Sequence, residues 1–308
     1  MGRKNRTLGV LRRATGFLSE DRRRHNEHLV RGAFERRDLR RADSVLISFP
    51  KAGRTWLRVM LTHAMQRHLG LPSDELLVFD NFKRIDARVP SVLFTHLFYS
   101  TTSDAGRQAT IELLRERATL LLVRQPIDVS VSWYHQWKHR EKDAKNWLHG
   151  YPPSSADVDI DSWITHPSWG LDRVIDYYNR MGELVAEVPG SMTVRYETLR
   201  AEPVAGLAAI LRHIGLEIPD EVIEAAVEHS RFERMQQRER DGDLPSKGGS
   251  RLAAGDPDNA DSFKARRGKV GGYRDELTPA TVAWAEARVT ERMHARFAYG
   301  EDGDPSGA

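Results

Sequence analysis

The chain contains no cysteine, which excludes disulfides, thiolate nucleophiles and cysteine metal sites. That absence suits a reducing cytoplasm, the localisation expected here. Nor is there an apolar run near the roughly 18 residues that span a bilayer. The longest, such as "TLLLV" (119–123), have strand length. The first residues show no apolar h-region or A-x-A-like site, so no secretory signal is expected. G-x-x-x-x-G-K-[ST] is missing, as is H-E-x-x-H. His135 and His139 lie four apart on an expected helix but lack an obvious third ligand, so no metal is expected.

Charge is present but uneven. The net charge is only +3, yet residues 1–41 hold thirteen Lys/Arg against five Asp/Glu. Within that basic extension, "LGVLRRATGFL" (8–18) sets Leu8, Leu11, Ala14, Thr15 and Leu18 at helical spacing among arginines. Such a helix could contact an anionic membrane or nucleic acid; the plainer reading is a solvated extension packed against the domain.

Beyond residue 41, strand and helix signals alternate. Strands are expected at "SVLISF" (44–49), "SVLFT" (91–95), "ATLLLVR" (118–124) and "SMTVRY" (191–196). Helices are expected from Arg54, over 105–117, from Pro126, and over 170–187, 203–214, 219–229 and 279–297. This alternation predicts an α/β fold: a single domain over 42–300, with a mainly parallel central sheet flanked by helices. Residues 149–161 and 240–262 read as loops, the latter a flexible loop or lid, and 301–308 as a disordered tail. In parallel sheets ligands bind beyond the strands' C-terminal ends, where Lys51, His96, Arg124 and Tyr196 all fall.

Three stretches carry chemistry. "FPKAGRTW" (49–56) bends at Pro50 and Gly53 and opens a helix, whose free N–H groups and dipole suit an anion. Lys51 adds a mobile charge and Thr55 a hydroxyl donor. "RQPIDVSVS" (124–132) pairs Arg124 with Ser132, a second anion site unless Arg124 serves only as a salt-bridge partner of Asp128. "RRGKVGGYR" (266–274) brings Arg266, Arg267 and Gly268, two cations and a glycine that lets backbone approach an anion.

In this order the three resemble motifs of the cytosolic-type sulfotransferase family, which moves a sulfuryl group from 3′-phosphoadenosine 5′-phosphosulfate (PAPS) to a hydroxyl or amine. The first is similar to that family's P-K-S-G-T-T-W, the second to R-N-P-x-D-x-x-V-S, and the third to R-K-G-x-x-G-D-W-K. Weaker likenesses lie in "FTHL" (94–97), "RYETL" (195–199) and "SRFERM" (230–235).

The resemblance implies a P-loop nucleotide-kinase-like fold, with PAPS as donor and 3′,5′-bisphosphoadenosine (PAP) as product. Lys51 would bridge the 5′-phosphate and the transferring sulfuryl group, and Gly53 and Thr55 would bind the 5′-phosphate. Trp56 and Phe232 would flank the adenine, Tyr196 would bond its edge, and Ser230 sits where the family has a threonine. Arg124, Ser132, Arg266, Arg267 and Gly268 would hold the 3′-phosphate, and His96 would be the general base. The acceptor would be a small molecule, glycan or lipid.

Departures are Ala52 and Arg54 within the first motif, Phe94 where many members have a lysine, and Gly272, Tyr273 and Arg274 in place of D-W-K. Arg54 could contact phosphate or point outward. Two other readings stand beside this one: a P-loop-like nucleotide kinase or ATPase, and a non-catalytic anion- or nucleic-acid-binding protein.

Overall fold

The four apolar runs become strands: β1 (Ser44–Ser48), β2 (Val92–Thr95), β3 (Ala118–Val123) and β4 (Met192–Arg195). In the computed structural model, residues 3–72, 75–241 and 268–299 are described. The strands form one all-parallel sheet in the order β2-β1-β3-β4. Register is set along β1, where Leu46 lies beside both Phe94 and Leu120. Parallel strands need long crossovers, and helices supply them.

Thirteen α-helices lie among the described residues. The N-terminal pair is α1 (Arg3–Ala14) and α2 (Glu20–Leu39). The crossovers carry α3 (Arg54–Leu69), α4 (Asp104–Arg115), α5 (Pro126–His139), α6 (Asp143–His149), α7 (Ile160–Thr165) and α8 (Leu171–Ala186). After β4 come α9 (Tyr196–Ala201), α10 (Pro203–His213), α11 (Asp220–His229), α12 (Phe232–Asp241) and α13 (Pro279–Arg292).

Alternation along the strands feeds two cores. Val45, Ile47, Leu121 and Val123 pack on one face with side chains of α5, α8 and α13. Leu46, Leu120 and Leu122 pack on the other against α3, α10 and α11. A strand buried on both faces reads as a continuous apolar run, as these sequences do. Truncating a fully buried residue such as Ile47 to alanine removes about 2–5 kcal/mol.

The basic extension differs from the single helix expected over 8–18. α1 stops at Ala14, where the Thr15 hydroxyl bonds back to Leu11 and Gly16 follows. Leu8 is buried, whereas Ala14 is exposed. The longer α2 presents two acids inward. Glu27 receives Arg12 and Arg31 at 2.8 and 2.6 Å, and Glu35 accepts the Tyr99 and Ser100 amides at 3.0 and 2.8 Å. Of the expected 240–262 loop, Arg240 and Asp241 complete α12; 242–262 and the expected tail lie outside the described residues.

Candidate functional site

Every strand delivers a polar residue to the same end of the sheet. After β1 the chain turns through Lys51 and Gly53, whose φ angles are 70° and 97°. A left-handed lysine stores roughly 1 kcal/mol or more of strain, so the turn is held by its surroundings. Gly53 is required on two counts: its φ, and the Tyr196 ring, which a Cβ would meet at 2.5 Å. The turn sets the N-terminus of α3, whose first amides have no partner within the helix, at a cleft of about 1370 Å³. Lys51, Gly53, Arg54, Thr55 and Trp56 line it on this side.

Arg124 follows β3 directly. Its guanidinium reaches the Lys51 carbonyl at 3.4 Å and the Lys269 carbonyl at 3.2 Å, and lies 4.8 Å over the Tyr196 ring. Its Nε is buried with no hydrogen-bond partner among the described residues, an orphan donor that fits an anion. Asp128 stands 3.6 Å from the guanidinium, but its closer partners are the backbone amides of Gly271 at 2.8 Å and Tyr273 at 3.1 Å. The acid that sequence reading offered as an ion-pair partner thus mainly clamps the C-terminal segment onto α5. That clamp brings Gly268 to the cleft, at φ 61°, with the Phe232 ring 2.5 Å from where a Cβ would stand. Arg266 and Arg267 lie outside the described residues.

Trp56, Tyr196 and Phe232 all face the cleft, and the Trp56 and Tyr196 rings meet edge-on at 5.6 Å. Ser132 lines it as well. Ser230 does not: it is fully buried, its hydroxyl bonds to the Val227 carbonyl, and its own carbonyl receives the Trp56 indole N–H at 3.0 Å. It therefore acts on Trp56 through its backbone.

His96 follows β2. Its Nδ1 lies 2.5 Å from the Ser48 carbonyl, which can only accept, so Nδ1 carries the hydrogen and Nε2 the lone pair. That lone pair faces Arg54, whose Nη2 is 3.0 Å away. Burial first, then the Arg54 charge, hold the imidazole pKa well below 6.5 and the ring neutral. Arg54 is itself pushed down to about 10, by burial and then by Arg58. Sequence reading left Arg54 unassigned because a motif gives position, not side-chain direction.

The sequence stretches 133–142 and 149–161 read as walls of an acceptor pocket, and Trp133 and His149 from them line the cleft beyond His96. Phe98, Tyr99, Trp133 and His149 form that wall, with Arg31 and Glu35 reaching in from α2. The Tyr99 hydroxyl and His149 Nε2 are 3.2 Å apart, and burial, then Arg173, pull His149 down to about 3, so it accepts as a neutral ring. Burial raises the Glu35 pKa, opposed by the amides of Ser100 and Tyr99. His135, the candidate metal ligand on α5, bonds Glu276 at 2.7 Å across the cleft. Among the described residues no three His, Asp or Glu gather as a metal site, and no helix is long and apolar enough to cross a membrane.

Known proteins share this architecture. Cytosolic sulfotransferases 16 and 13 of Arabidopsis thaliana are 25% and 24% identical to the chain, covering 87% and 84% of it and 81% and 78% of their own lengths. Mouse sulfotransferase SULT7A1, solved with PAP, superposes with a TM-score of 0.54 at 16% identity, over 83% of this chain and 85% of its own. Retinol dehydratase, solved with androsterone and inactive cofactor PAP, gives 0.53 at 15% identity, over 81% of this chain and 80% of its own. The family model for the sulfotransferase domain matches residues 41–296, from just before β1 to beyond α13, and the chain belongs to that family.

Proposed function

We propose that this sulfotransferase takes its sulfuryl group from PAPS and passes it to a hydroxyl or amine of a small-molecule, glycan or lipid acceptor, with Lys51 and His96 as catalytic residues. The observation that carries the reading is the convergence of Lys51, His96, Arg124 and Tyr196 on one cleft, each at the end of a different parallel strand. The unsatisfied Arg124 Nε and the glycine turn at Gly53 fit a nucleotide with anions at both ends. Two structural relatives were solved with PAP, which supports the same choice of donor. Family membership sets aside the nucleotide-kinase and non-catalytic readings.

In this proposal Lys51 sits beside the leaving phosphate oxygen and gains interaction as negative charge grows there. Gly53 and Thr55 hold the 5′-phosphate; Arg124, Ser132, Gly268, Arg266 and Arg267 hold the 3′-phosphate. Trp56, Phe232 and Tyr196 receive the adenine, with Ser230 anchoring the Trp56 indole. His96, a neutral ring whose Nε2 carries the lone pair, takes the acceptor's proton. The new S–O bond forms as the bond from sulfur to the phosphate oxygen breaks, and that oxygen keeps the electron pair. The plant relatives are named cytosolic and the chain has no cysteine, which supports a cytoplasmic site of action.

Transfer from radiolabelled PAPS to an acceptor pool by the purified protein tests the reading. Stabilisation by PAP and not by ATP is the expected companion result. Equal stabilisation by the two would sink the 3′-phosphate assignment.

A further inference from the structure

Arg54 is a cation of the cleft with no carboxylate partner among the described residues. Arg31 has Glu27, Arg124 has Asp128 and Arg140 has Glu239. No acid among the described residues lies within ion-pair reach of Arg54, and the charge that acts on it most strongly is another cation, Arg58. Its guanidinium is partly buried in the cleft wall and spends its hydrogen bond on a neutral imidazole, 3.0 Å from Nη2 to Nε2. An unneutralised charge withdrawn from water is costly, and an arrangement that keeps one is waiting for an anion.

The position of that charge says which anion. Arg54 is the first residue of α3, immediately after the turn holding Lys51 and Gly53, and it reaches across to the proposed base. It therefore bridges the place where the donor's phosphate would lie and the place where the acceptor's proton leaves. Between those two points passes the group being transferred. The contact also blocks the base: a guanidinium has no lone pair, so while it donates to His96 Nε2 that nitrogen cannot take a proton from an acceptor.

Resting on the donor reading above, we propose that Arg54 binds the sulfuryl oxygens of the donor, and that in doing so it leaves His96 and frees the base. The donor-free cleft is then held off by the Arg54–His96 contact, and the base becomes competent once the sulfuryl group is present. Phe94, two residues before His96, supplies no charge there; its ring lies 4.2 Å beneath the Arg58 guanidinium. The charge needed at the sulfuryl oxygens comes from α3 instead.

PAP and PAPS separate this role from general anion binding, because PAP has both phosphates and no sulfuryl group. The experiment measures the affinity of wild type, Arg54→Met and Arg54→Lys for each nucleotide by calorimetry, with melting temperatures of the ligand-free proteins. Methionine keeps the length and removes the charge. Expected for Arg54→Met are a loss of PAPS affinity of about ten- to a hundredfold, PAP affinity within about twofold of wild type, and a melting temperature equal to or above wild type. Arg54→Lys should recover part of the PAPS affinity. Equal weakening of both nucleotides, no weakening of either, or a lowered melting temperature with both affinities lost would each overturn the proposal and leave Arg54 a structural residue. Wild type binding both nucleotides, with PAPS affinity unchanged in Arg54→Met, confines the failure to Arg54; a wild type that binds neither overturns the donor reading as well.

Discussion

The two halves of the cleft are built differently. On the proposed donor side the contacts run through backbone: the Gly53 turn, the Lys51 and Lys269 carbonyls on Arg124, the Gly271 and Tyr273 amides on Asp128. On the proposed acceptor side they run through rings and charged side chains, with Phe98 packed on His96 at 5.0 Å, Tyr99 on His149, and Arg31 and Glu35 brought in by α2, Arg31 paired with Glu27 behind the wall. Backbone contacts fix a ligand of constant shape, which a nucleotide donor is. Side-chain walls can be exchanged without disturbing the sheet, which is what varied acceptors require.

The largest expected effect lies where the halves meet. His96→Ala should lower kcat by roughly 10²–10⁴-fold while PAP affinity holds within about twofold, because only the acceptor's proton loses its destination. Lys51→Ala should lower kcat comparably and weaken the donor too, being on the other half. Full activity in His96→Ala would remove the base. The pH dependence sharpens the same point. With its pKa held well below 6.5, His96 stays neutral as pH falls through 6.5, so the acid limb of kcat/KM should lie below that value. Arg54→Met removes a neighbouring positive charge and should move the limb upward; a limb already at or above 6.5 in wild type contradicts the buried neutral ring.

Next in size is Asp128→Ala. Removing a buried acid from two amides and a guanidinium costs about 3–5 kcal/mol, and the C-terminal segment that carries Gly268 loses its clamp. Chemical denaturation should register the loss, and PAP binding should weaken with it. Gly53→Ala makes a smaller but more selective break: the new methyl meets the Tyr196 ring, so PAP affinity should fall while acceptor-side variants leave it alone.

The halves also differ in how far sequence reveals them. The strands were legible because burial on both faces makes each one a short apolar run, and the phosphate loop because glycine, lysine and proline there answer to local backbone needs. Lys51, His96, Arg124 and Tyr196 could be placed from strand ends alone. Arg54's inward turn depends on His96, 42 residues away, and Glu27's burial depends on two arginines that read individually as solvated. Ser230 reads in sequence as a residue near the cofactor, whereas its carbonyl accepts the Trp56 indole N–H, since hydroxyl and backbone roles share one letter. Long-range ion pairs leave no periodicity.

Acid lability follows from the acceptor side. His149 is drawn down to about 3, and His28 and His96 are lowered as well, each chiefly by burial. A histidine whose folded pKa lies below its unfolded value costs nothing while both states are neutral, and loses stability as pH falls below about 6.5 and only the unfolded chain takes up protons. The melting temperature should therefore decline from pH 6.5 downward. His149→Gln should flatten that decline, and an unchanged slope would mean that the burial of this ring is not what sets it.

The smallest effect belongs to α1. Arg12 is half exposed while Glu27 is buried, and Arg31, less exposed than Arg12, also bonds Glu27. Deleting residues 1–18 therefore still leaves the buried acid its Arg31 partner. The deletion spares α2, so Glu35 still caps Tyr99 and Ser100 and the donor side is untouched. PAP affinity should stay within about twofold of wild type, with any change confined to the acceptor KM, through Lys4 and Arg31 at the cleft rim. A tenfold loss of PAP affinity would show that the two halves are coupled through the N-terminal helices rather than built separately. Loss of sedimentation with anionic liposomes on the same deletion would instead give the basic helix a surface-binding role of its own.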